Sequence, residues 1–125
     1  MRYLGLDVGQ VRVGVALSDE GGTIAFPFGV LSRTTCIDQI RAIAVDQSVA
    51  TVVIGESLDL DGNENEVMRD VRDLAKQLKK SVPVVFEPEQ FSTQAASRLG
   101  KGTDAEAAAI ILQSYLDRVS ENKGA

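Results

Sequence analysis

The sequence predicts a single α/β domain in which a mixed five-stranded sheet is flanked by helices. Three observations predict it: three extended apolar runs separated by turn residues, then an alternation of helical and extended runs, and a length of 125 residues, which suits one ordinary domain. Hydrophobic residues make up 44% of the chain and charged residues 25%, as in soluble globular proteins. We place the domain at residues 1–120 and expect residues 121–125 to be a frayed tail.

The first third of the chain predicts a three-stranded antiparallel meander. Its strands are residues 2–6, 11–17 and 23–31. Gly9 with Gln10 forms the first turn, and Asp19-Glu20-Gly21-Gly22 forms the second. Pro27 favours an edge or irregular strand for the third run, because proline cannot donate a backbone hydrogen bond.

Helical and extended runs alternate along the rest of the chain. The predicted strands are residues 51–55, whose β-branched run without polar alternation is typical of a parallel strand buried on both faces, and residues 82–86. The predicted helices carry the apolar sets Ile37, Ile40, Ala44 and Val45; Val67, Val71, Leu74, Ala75 and Leu78; and Ala107, Ala108, Ile111, Leu112, Tyr115, Leu116 and Val119. A short helix from Ser92 to Leu99 is also expected. The predicted N-terminal caps are Thr34 or Thr35, Asn63 with Glu66, and Thr103 with Glu106.

Composition excludes several kinds of site. The chain has no histidine, which excludes Ser-His-Asp triads, histidine bases and the usual zinc sites, so any hydrolysis has to rest on carboxylates. The single cysteine, Cys36, cannot form an internal disulfide and is expected to be buried. The net charge of −5 argues against a broadly basic surface. No run approaches the ~20 apolar residues that span a bilayer, and we expect a cytoplasmic protein without membrane partners.

Acidic side chains follow the predicted strands at the sheet edge where α/β proteins bind ligands. Asp7 follows the first strand, Glu56 the fourth and Glu87 the fifth, with Glu89 two residues further on. A carboxylate that ends an apolar strand is costly unless it is paired or metal-bound, although Asp7 also suits a turn. Asp104 lies in the first turn of the last helix, where the helix dipole alone favours an acid. The residues by themselves leave the structural and the functional interpretation open.

Several blocks of the sequence resemble a known family. Leu4-Gly5-Leu6-Asp7-Val8-Gly9 and Arg12-Val13-Gly14-Val15-Ala16-Leu17-Ser18-Asp19 resemble the opening signature of the YqgF proteins, which are RuvX-like Holliday junction resolvases and pre-16S rRNA nucleases. The further matching blocks are Ile54-Gly55, Asp61-Gly62, Phe91-Ser92-Thr93-Gln94-Ala95, and Asp104 through Ala107-Ala108 to Ile111-Leu112-Gln113-Ser114-Tyr115-Leu116-Asp117. The resemblance implies a ribonuclease H-like fold, a homodimer in some members, and a nuclease acting on structured RNA or branched DNA.

The resemblance also implies a site. It assigns Asp7, Glu89 and Asp104 as catalytic carboxylates and as ligands of Mg²⁺ or Mn²⁺. The assignment suits the chemistry, since Mg²⁺ binds a few carboxylates together with phosphate oxygens, and two such ions can activate water without a histidine. The candidate nucleic-acid contacts are Arg12, Arg98 and Lys101. Lys76, Lys79 and Lys80 are expected to form a solvated helix face.

One block departs from the family pattern. Pro88-Glu89-Gln90 stands where the family usually has Asp-Glu-Arg, so one acid and one arginine are lost, and Glu87 is a candidate replacement acid. The first hypothesis is a metal-dependent endonuclease that processes the 5′ end of pre-16S rRNA. The alternatives are a Holliday junction resolvase and a non-enzymatic nucleic-acid-binding or assembly protein on the same fold. Phosphate binding of the actin and sugar-kinase type ranks last, because those enzymes need two such domains.

Overall fold

The computed structural model describes residues 1–56, 66–88 and 104–123, without the side chains of residues 66, 67 and 121–123. Its elements are β1 (Arg2–Val8), β2 (Arg12–Ser18), β3 (Ala25–Ser32), α1 (Cys36–Asp46), β4 (Val49–Glu56), α2 (Glu66–Leu78), β5 (Val84–Pro88) and α3 (Asp104–Lys123). The five strands lie in one sheet in the order β3-β2-β1-β4-β5. The β1–β2 and β2–β3 pairs are antiparallel, whereas β1–β4 and β4–β5 are parallel. The predicted mixed sheet is therefore confirmed.

Each face of the sheet carries its own apolar core, because side chains alternate along a strand. Leu4, Leu6 and Val8 of β1 pack in the larger cluster, with residues of α1 and α2. Tyr3 packs on the opposite face with Ala108 and other residues of α3. By the same alternation, Gly5 and Asp7 belong to the α3 face. The end of β1 thus places a carboxylate on the side of the sheet that the last helix covers.

The predicted buried stripes of the helices largely match the structure. In α2, Val71, Leu74, Ala75 and Leu78 are buried, together with Met68. In α1 the buried positions are Cys36, Ile40 and Ala44, spaced four residues apart. The prediction for Val45 was wrong, because that side chain is 82% exposed. Its position is one residue, or about 100°, around the helix from the buried stripe.

Each strand differs from its sequence-based prediction by one or two residues at one end or both, and the last helix ends later than predicted. Thr35 occupies the N-cap of α1 but its side chain makes no capping hydrogen bond. Strand β5 begins at Val84, two residues later than predicted, because the backbone N–H of Val82 is donated to the carbonyl of Leu78 in the turn that closes α2. Helix α3 continues to Lys123, into the segment expected to fray. The predicted capping residues Asn63 and Thr103 and the predicted helix 92–99 lie outside the described residues.

The predicted turn after β2 is confirmed and is held by a carboxylate. Asp19 Oδ1 accepts hydrogen bonds from the backbone N–H groups of Ile24 at 3.0 Å and Thr23 at 2.7 Å, and Gly22 adopts a left-handed φ of 66°. These bonds favour the charged carboxylate and lower the pKa of Asp19 below its ordinary value. Ionisation of that side chain therefore strengthens the hydrogen bonds of the turn.

Three further expectations concern single residues or segments. Pro27 lies in β3, which is an edge strand as predicted. Cys36 is fully buried, and burial raises the pKa of its thiol, so it behaves as a small apolar side chain. None of the helices in the described ranges is long and apolar enough to cross a membrane.

Candidate active site

Asp7 lies near the carboxyl end of β1, opposite a glycine on the neighbouring strand. Its backbone partner is Gly14 of β2, and the Cα atoms of such antiparallel pairs lie about 4.5 to 5.5 Å apart. Because Gly14 has no side chain, the space beside Asp7 on the α3 face is open to another element. The Asp7 side chain itself is half-buried.

The first residue of α3 occupies that space. A Cβ atom built on Gly14 would lie 1.9 Å from the carbonyl oxygen of Asp104 and 2.3 Å from its carbonyl carbon, so the α3 backbone rests directly on β2. Gly5 allows a second close approach, since a Cβ there would lie 2.7 Å from Leu112 Cβ. These two glycines dock α3 on the β1–β2 pair. The structure therefore brings Asp7 and Asp104, two of the three predicted carboxylates, to the same end of one sheet face.

Arg12 pairs with one of the two acids, Asp104. It begins β2 and, by strand alternation, lies on the same face as Gly14. Its Nε donates a hydrogen bond to Asp104 Oδ2 at 2.8 Å. The Arg12 side chain is 68% exposed and that of Asp104 is 38% exposed, so solvent screens the pair and its net stabilisation is about 0 to 1 kcal/mol. Arg12 is thus held at Asp104 by an ion pair whose loss costs little free energy.

The other predicted site residues, Glu89, Arg98 and Lys101, lie outside the described residues. Within the described ranges, no group of three acidic, histidine or cysteine side chains could hold a metal ion. The described part of the site consists of two carboxylates, Asp7 and Asp104, and one arginine, Arg12. The assignment of Asp7, Asp104 and Glu89 as metal ligands stays a prediction.

Comparison with known proteins identifies the family of this chain. The family model described as RuvX, Holliday junction resolvase, matches residues 1–118. The chain belongs to this family.

Similar proteins agree with the family assignment. The RuvX-family chain is 32% identical over 133 residues to a protein of Pelagibacter ubique (strain HTCC1062), covering 94% of this chain and 88% of that one. It is 39% identical over 133 residues to a protein of Anaeromyxobacter sp. (strain Fw109-5), covering 94% and 97%. Both relatives are provisionally named pre-16S rRNA nucleases. Thermus thermophilus RuvC in complex with a Holliday junction substrate has a similar fold, with a TM-score of 0.58 at 19% identity and coverage of 93% and 94%.

Glu87 is the candidate replacement for the acid that this RuvX-family chain lacks, but the contacts found for it are with Ser114 and Arg118 of α3. Glu87 is only 3% exposed. Its carboxylate accepts a hydrogen bond from Ser114 Oγ at 3.0 Å and forms an ion pair with Arg118. Tyr115 adds to this cluster: the Arg118 guanidinium lies 5.6 Å from its ring centre, and burial raises the pKa of its hydroxyl. Glu87 therefore binds the end of β5 to α3.

Glu56 is also separated from the acid pair. By strand alternation it shares the α1–α2 face with Ile54, which packs in the larger core cluster. The side of the sheet that carries Asp7 is the opposite one.

Sequence reasoning missed Ser114 and Arg118 as partners of Glu87. The available signal was their spacing, since two polar side chains four residues apart lie on one side of a helix whose sheet-facing positions are otherwise apolar. Such a pair in α3 predicts a polar partner on the sheet beneath it.

Proposed function

We propose that this chain is a metal-dependent endonuclease that hydrolyses phosphodiesters in structured nucleic acid, and that it processes the 5′ end of pre-16S rRNA in the cytoplasm. The observation that carries the proposal is the convergence of Asp7 and Asp104 on one face, forced by the contact of Gly14 with the α3 backbone. Membership of a family of nucleases and the names of the two relatives support the choice of reaction and of substrate.

The donor set fits a hard divalent cation. Asp7 and Asp104 offer carboxylate oxygens, which are the ligands that Mg²⁺ and Mn²⁺ prefer, and Asp104 already attracts a cationic group in the form of Arg12. In the proposed mechanism Asp7, Asp104 and Glu89 hold the metal. When bound, the metal supplies an activated water and stabilises the charge that develops on the phosphate oxygens.

The chain's own groups supply the positioning. With a divalent cation held at Asp104, Arg12 would be available to donate hydrogen bonds to a non-bridging oxygen of the scissile phosphate. Arg98 and Lys101 are proposed as further phosphate contacts. Because α3 is docked on glycines, the distance between Asp7 and Asp104 is fixed by backbone packing rather than by flexible side chains, which is the property that oriented catalysis requires.

The test is cleavage of a precursor 16S rRNA fragment in Mg²⁺ or Mn²⁺. We expect Asp7→Asn and Asp104→Asn each to lower the rate by at least 100-fold, the usual cost of losing a group that stabilises transition-state charge. Asp117→Asn is the matched control, since Asp117 is an exposed acid on the same helix. Cleavage that persists unchanged in Asp7→Asn would overturn the mechanism.

A second candidate function is resolution of Holliday junctions. The description of the matching family favours it. Four-way junction DNA incubated beside the rRNA fragment distinguishes the two, because the enzyme should cleave its own substrate at much lower concentration. A protein that binds either substrate but cleaves neither in Mg²⁺ or Mn²⁺ would instead be a non-enzymatic binding protein, as the altered Pro88-Glu89-Gln90 block allows.

The homodimer expected from the family resemblance belongs to the proposal as well. Edge strand β3 exposes Phe26, Phe28 and Val30, and exposed apolar side chains on an edge strand favour association. Light scattering of the purified chain measures the oligomeric state directly, and a monomer at micromolar concentration would contradict the dimer.

A further inference from the structure

A second cationic feature lies on the opposite face of the sheet from Asp7. Helix α2 and edge strand β5 border an open surface cleft of about 270 Å³. We call it the α2–β5 cleft, and it is lined by Arg72, Asp73, Ala75, Lys76, Lys79 and Phe86.

The charge of this region is opposite to that of the chain. Between Arg69 and Lys80 there are five cations and two acids, a local net charge of +3 in a chain of net charge −5. The cleft itself has three cations and one acid in its lining. A concave, partly apolar wall concentrates the potential of such charges, so the cleft attracts anions to a protein that otherwise repels them.

Two of the cleft cations are not neutralised within the described part of the chain. Lys76 and Lys79 form no ion pair there, whereas Arg33 and Arg41 pair with Asp70 and Asp38. The Arg72 guanidinium lies 6.0 Å from the centre of the Phe86 ring, a cation–π distance that favours a fixed position for the charge. The cleft thus combines a positioned guanidinium with two ammonium groups available to an external anion.

The cleft is separated from the proposed site by the β5 edge of the sheet. β5 is separated from β1 only by β4, a distance of about 10 Å across the sheet, but the cleft lies on the other face, and Lys79 follows the carboxyl end of α2, which leads into the amino end of β5. A nucleic-acid strand bound at Asp7 and Asp104 would have to pass around the β5 edge to reach Lys76 and Lys79, so the cleft would contact a flanking segment rather than the nucleotides at the scissile bond.

We propose that the α2–β5 cleft binds the sugar–phosphate backbone of a single-stranded segment that flanks the scissile phosphodiester. Lys76 and Lys79 neutralise successive phosphates, and Arg72 adds its charge from its position over Phe86. The binding is independent of base sequence, since only backbone groups are contacted. The inference rests on the proposed function for the identity of the ligand, but its site shares no described residue with the acid pair.

Lys80 supplies a matched control. Lys79 and Lys80 both follow the carboxyl end of α2, where the helix dipole favours any cation, but only Lys79 lines the cleft. Lys79→Gln and Lys80→Gln remove the same charge from adjacent positions. A helix-terminus or net-charge effect is equal in the two variants, whereas a binding site affects Lys79→Gln alone.

The experiment measures fluorescence anisotropy of a labelled single-stranded oligoribonucleotide in EDTA over a range of KCl concentrations. Each lost phosphate contact should reduce the salt slope by about 0.7 and the affinity by about 5-fold at 0.1 M salt. We expect this for Lys79→Gln, about 25-fold weaker binding for Lys76→Gln/Lys79→Gln, and wild-type binding for Lys80→Gln. Unfolding curves in urea confirm that the variants fold.

Equal behaviour of Lys79→Gln and Lys80→Gln would overturn the inference, as would failure of the wild type to bind the oligonucleotide. Because the assay contains no divalent metal, it is independent of cleavage. If Lys79→Gln binds more weakly but Asp7→Asn cleaves normally, the cleft is supported and the proposed mechanism is contradicted. If Asp7→Asn abolishes cleavage but Lys79→Gln and Lys80→Gln bind equally, the mechanism is supported and the cleft is contradicted.

Discussion

The contact between Gly14 and α3 provides the most direct test of how the acid pair is built. In Gly14→Ala the new Cβ would lie 1.9 Å from the carbonyl oxygen of Asp104, whereas ordinary contacts begin near 3.4 Å. The start of α3 therefore has to move by about 1.5 Å, the difference between these two distances. Because the obstructing atoms belong to the backbone, a change of rotamer cannot relieve the contact.

Two magnitudes follow from that displacement. Overpacking of a close-packed region costs about 1 to 3 kcal/mol of unfolding free energy. A catalytic group displaced by more than about 1 Å costs on the order of 100-fold in rate. Gly5→Ala is the control, because its Cβ would lie 2.7 Å from Leu112 Cβ, two turns further along α3 than Asp104. It should destabilise the fold similarly and displace Asp104 less.

Both variants are compared at a temperature where both are folded. Urea unfolding measures their stability, calorimetric titration measures their Mn²⁺ affinity, and an rRNA cleavage assay measures their activity. We expect similar losses of stability, with Mn²⁺ affinity and cleavage strongly reduced only in Gly14→Ala. Equal Mn²⁺ affinity and equal cleavage in Gly14→Ala and Gly5→Ala would refute the reasoning that Gly14 sets the position of Asp104.

Three further predictions concern single side chains. Arg12→Gln should change the unfolding free energy by less than about 1 kcal/mol, because its ion pair is solvent-exposed, yet it should tighten Mn²⁺ binding in calorimetry by removing a cation that competes for Asp104; unchanged affinity would show that the two cations do not compete. Glu87→Ala should cost about 1 to 3 kcal/mol in urea unfolding, less than a fully buried pair, since the Arg118 side chain is 54% exposed; a loss equal to that of an exposed acid would contradict its role in holding β5 to α3. The lowered pKa of Asp19, caused first by its bond with the Ile24 N–H, contributes stability that is present above the unfolded value near 3.8 and is lost as the pH falls through the folded value. Thermal unfolding from pH 5 to pH 2 should show that loss in the wild type and a smaller one in Asp19→Asn, and identical curves would rule out the contribution.

Hydrophobic periodicity predicted reliably which side chains are buried. It was a poorer guide to which polar side chains contact one another. The strand runs and the α2 stripe followed from alternation and helical spacing, and those patterns depend on nearby residues only. The prediction for Val45 was wrong because the sequence alone does not distinguish an apolar residue beside the buried stripe of a helix from one within it. Its exposure was decided by how far α1 rotates its Cys36, Ile40 and Ala44 face toward the sheet.

The acid pair shows the same limit at the site. A family motif nominated Asp7 and Asp104, but the reason they meet is the absence of a Cβ at Gly14, 90 residues from Asp104 in the sequence. Glu87 was a reasonable candidate for the same site because it follows a neighbouring parallel strand. Its partner Arg118 is 31 residues away in the sequence, and no local pattern pairs the two. Contacts of this kind depend on how a helix crosses a sheet, which local spacing does not determine.

Among the described residues, two acid–arginine pairs are seen on the α3 face, and their exposure bears on which of these acids could bind a metal. Arg12 and Asp104 are both open to water, with side chains 68% and 38% exposed, so exchanging the arginine for another cation costs about 1 kcal/mol or less. The Glu87 side chain is only 4% exposed, and removing its arginine would leave a nearly buried charge without its partner, at a cost of several kcal/mol. On the proposed mechanism, a divalent cation would therefore compete for Asp104 and not for Glu87. By this argument we expect that Glu87 does not replace the acid lost at Pro88, and Glu89 stays the predicted third carboxylate.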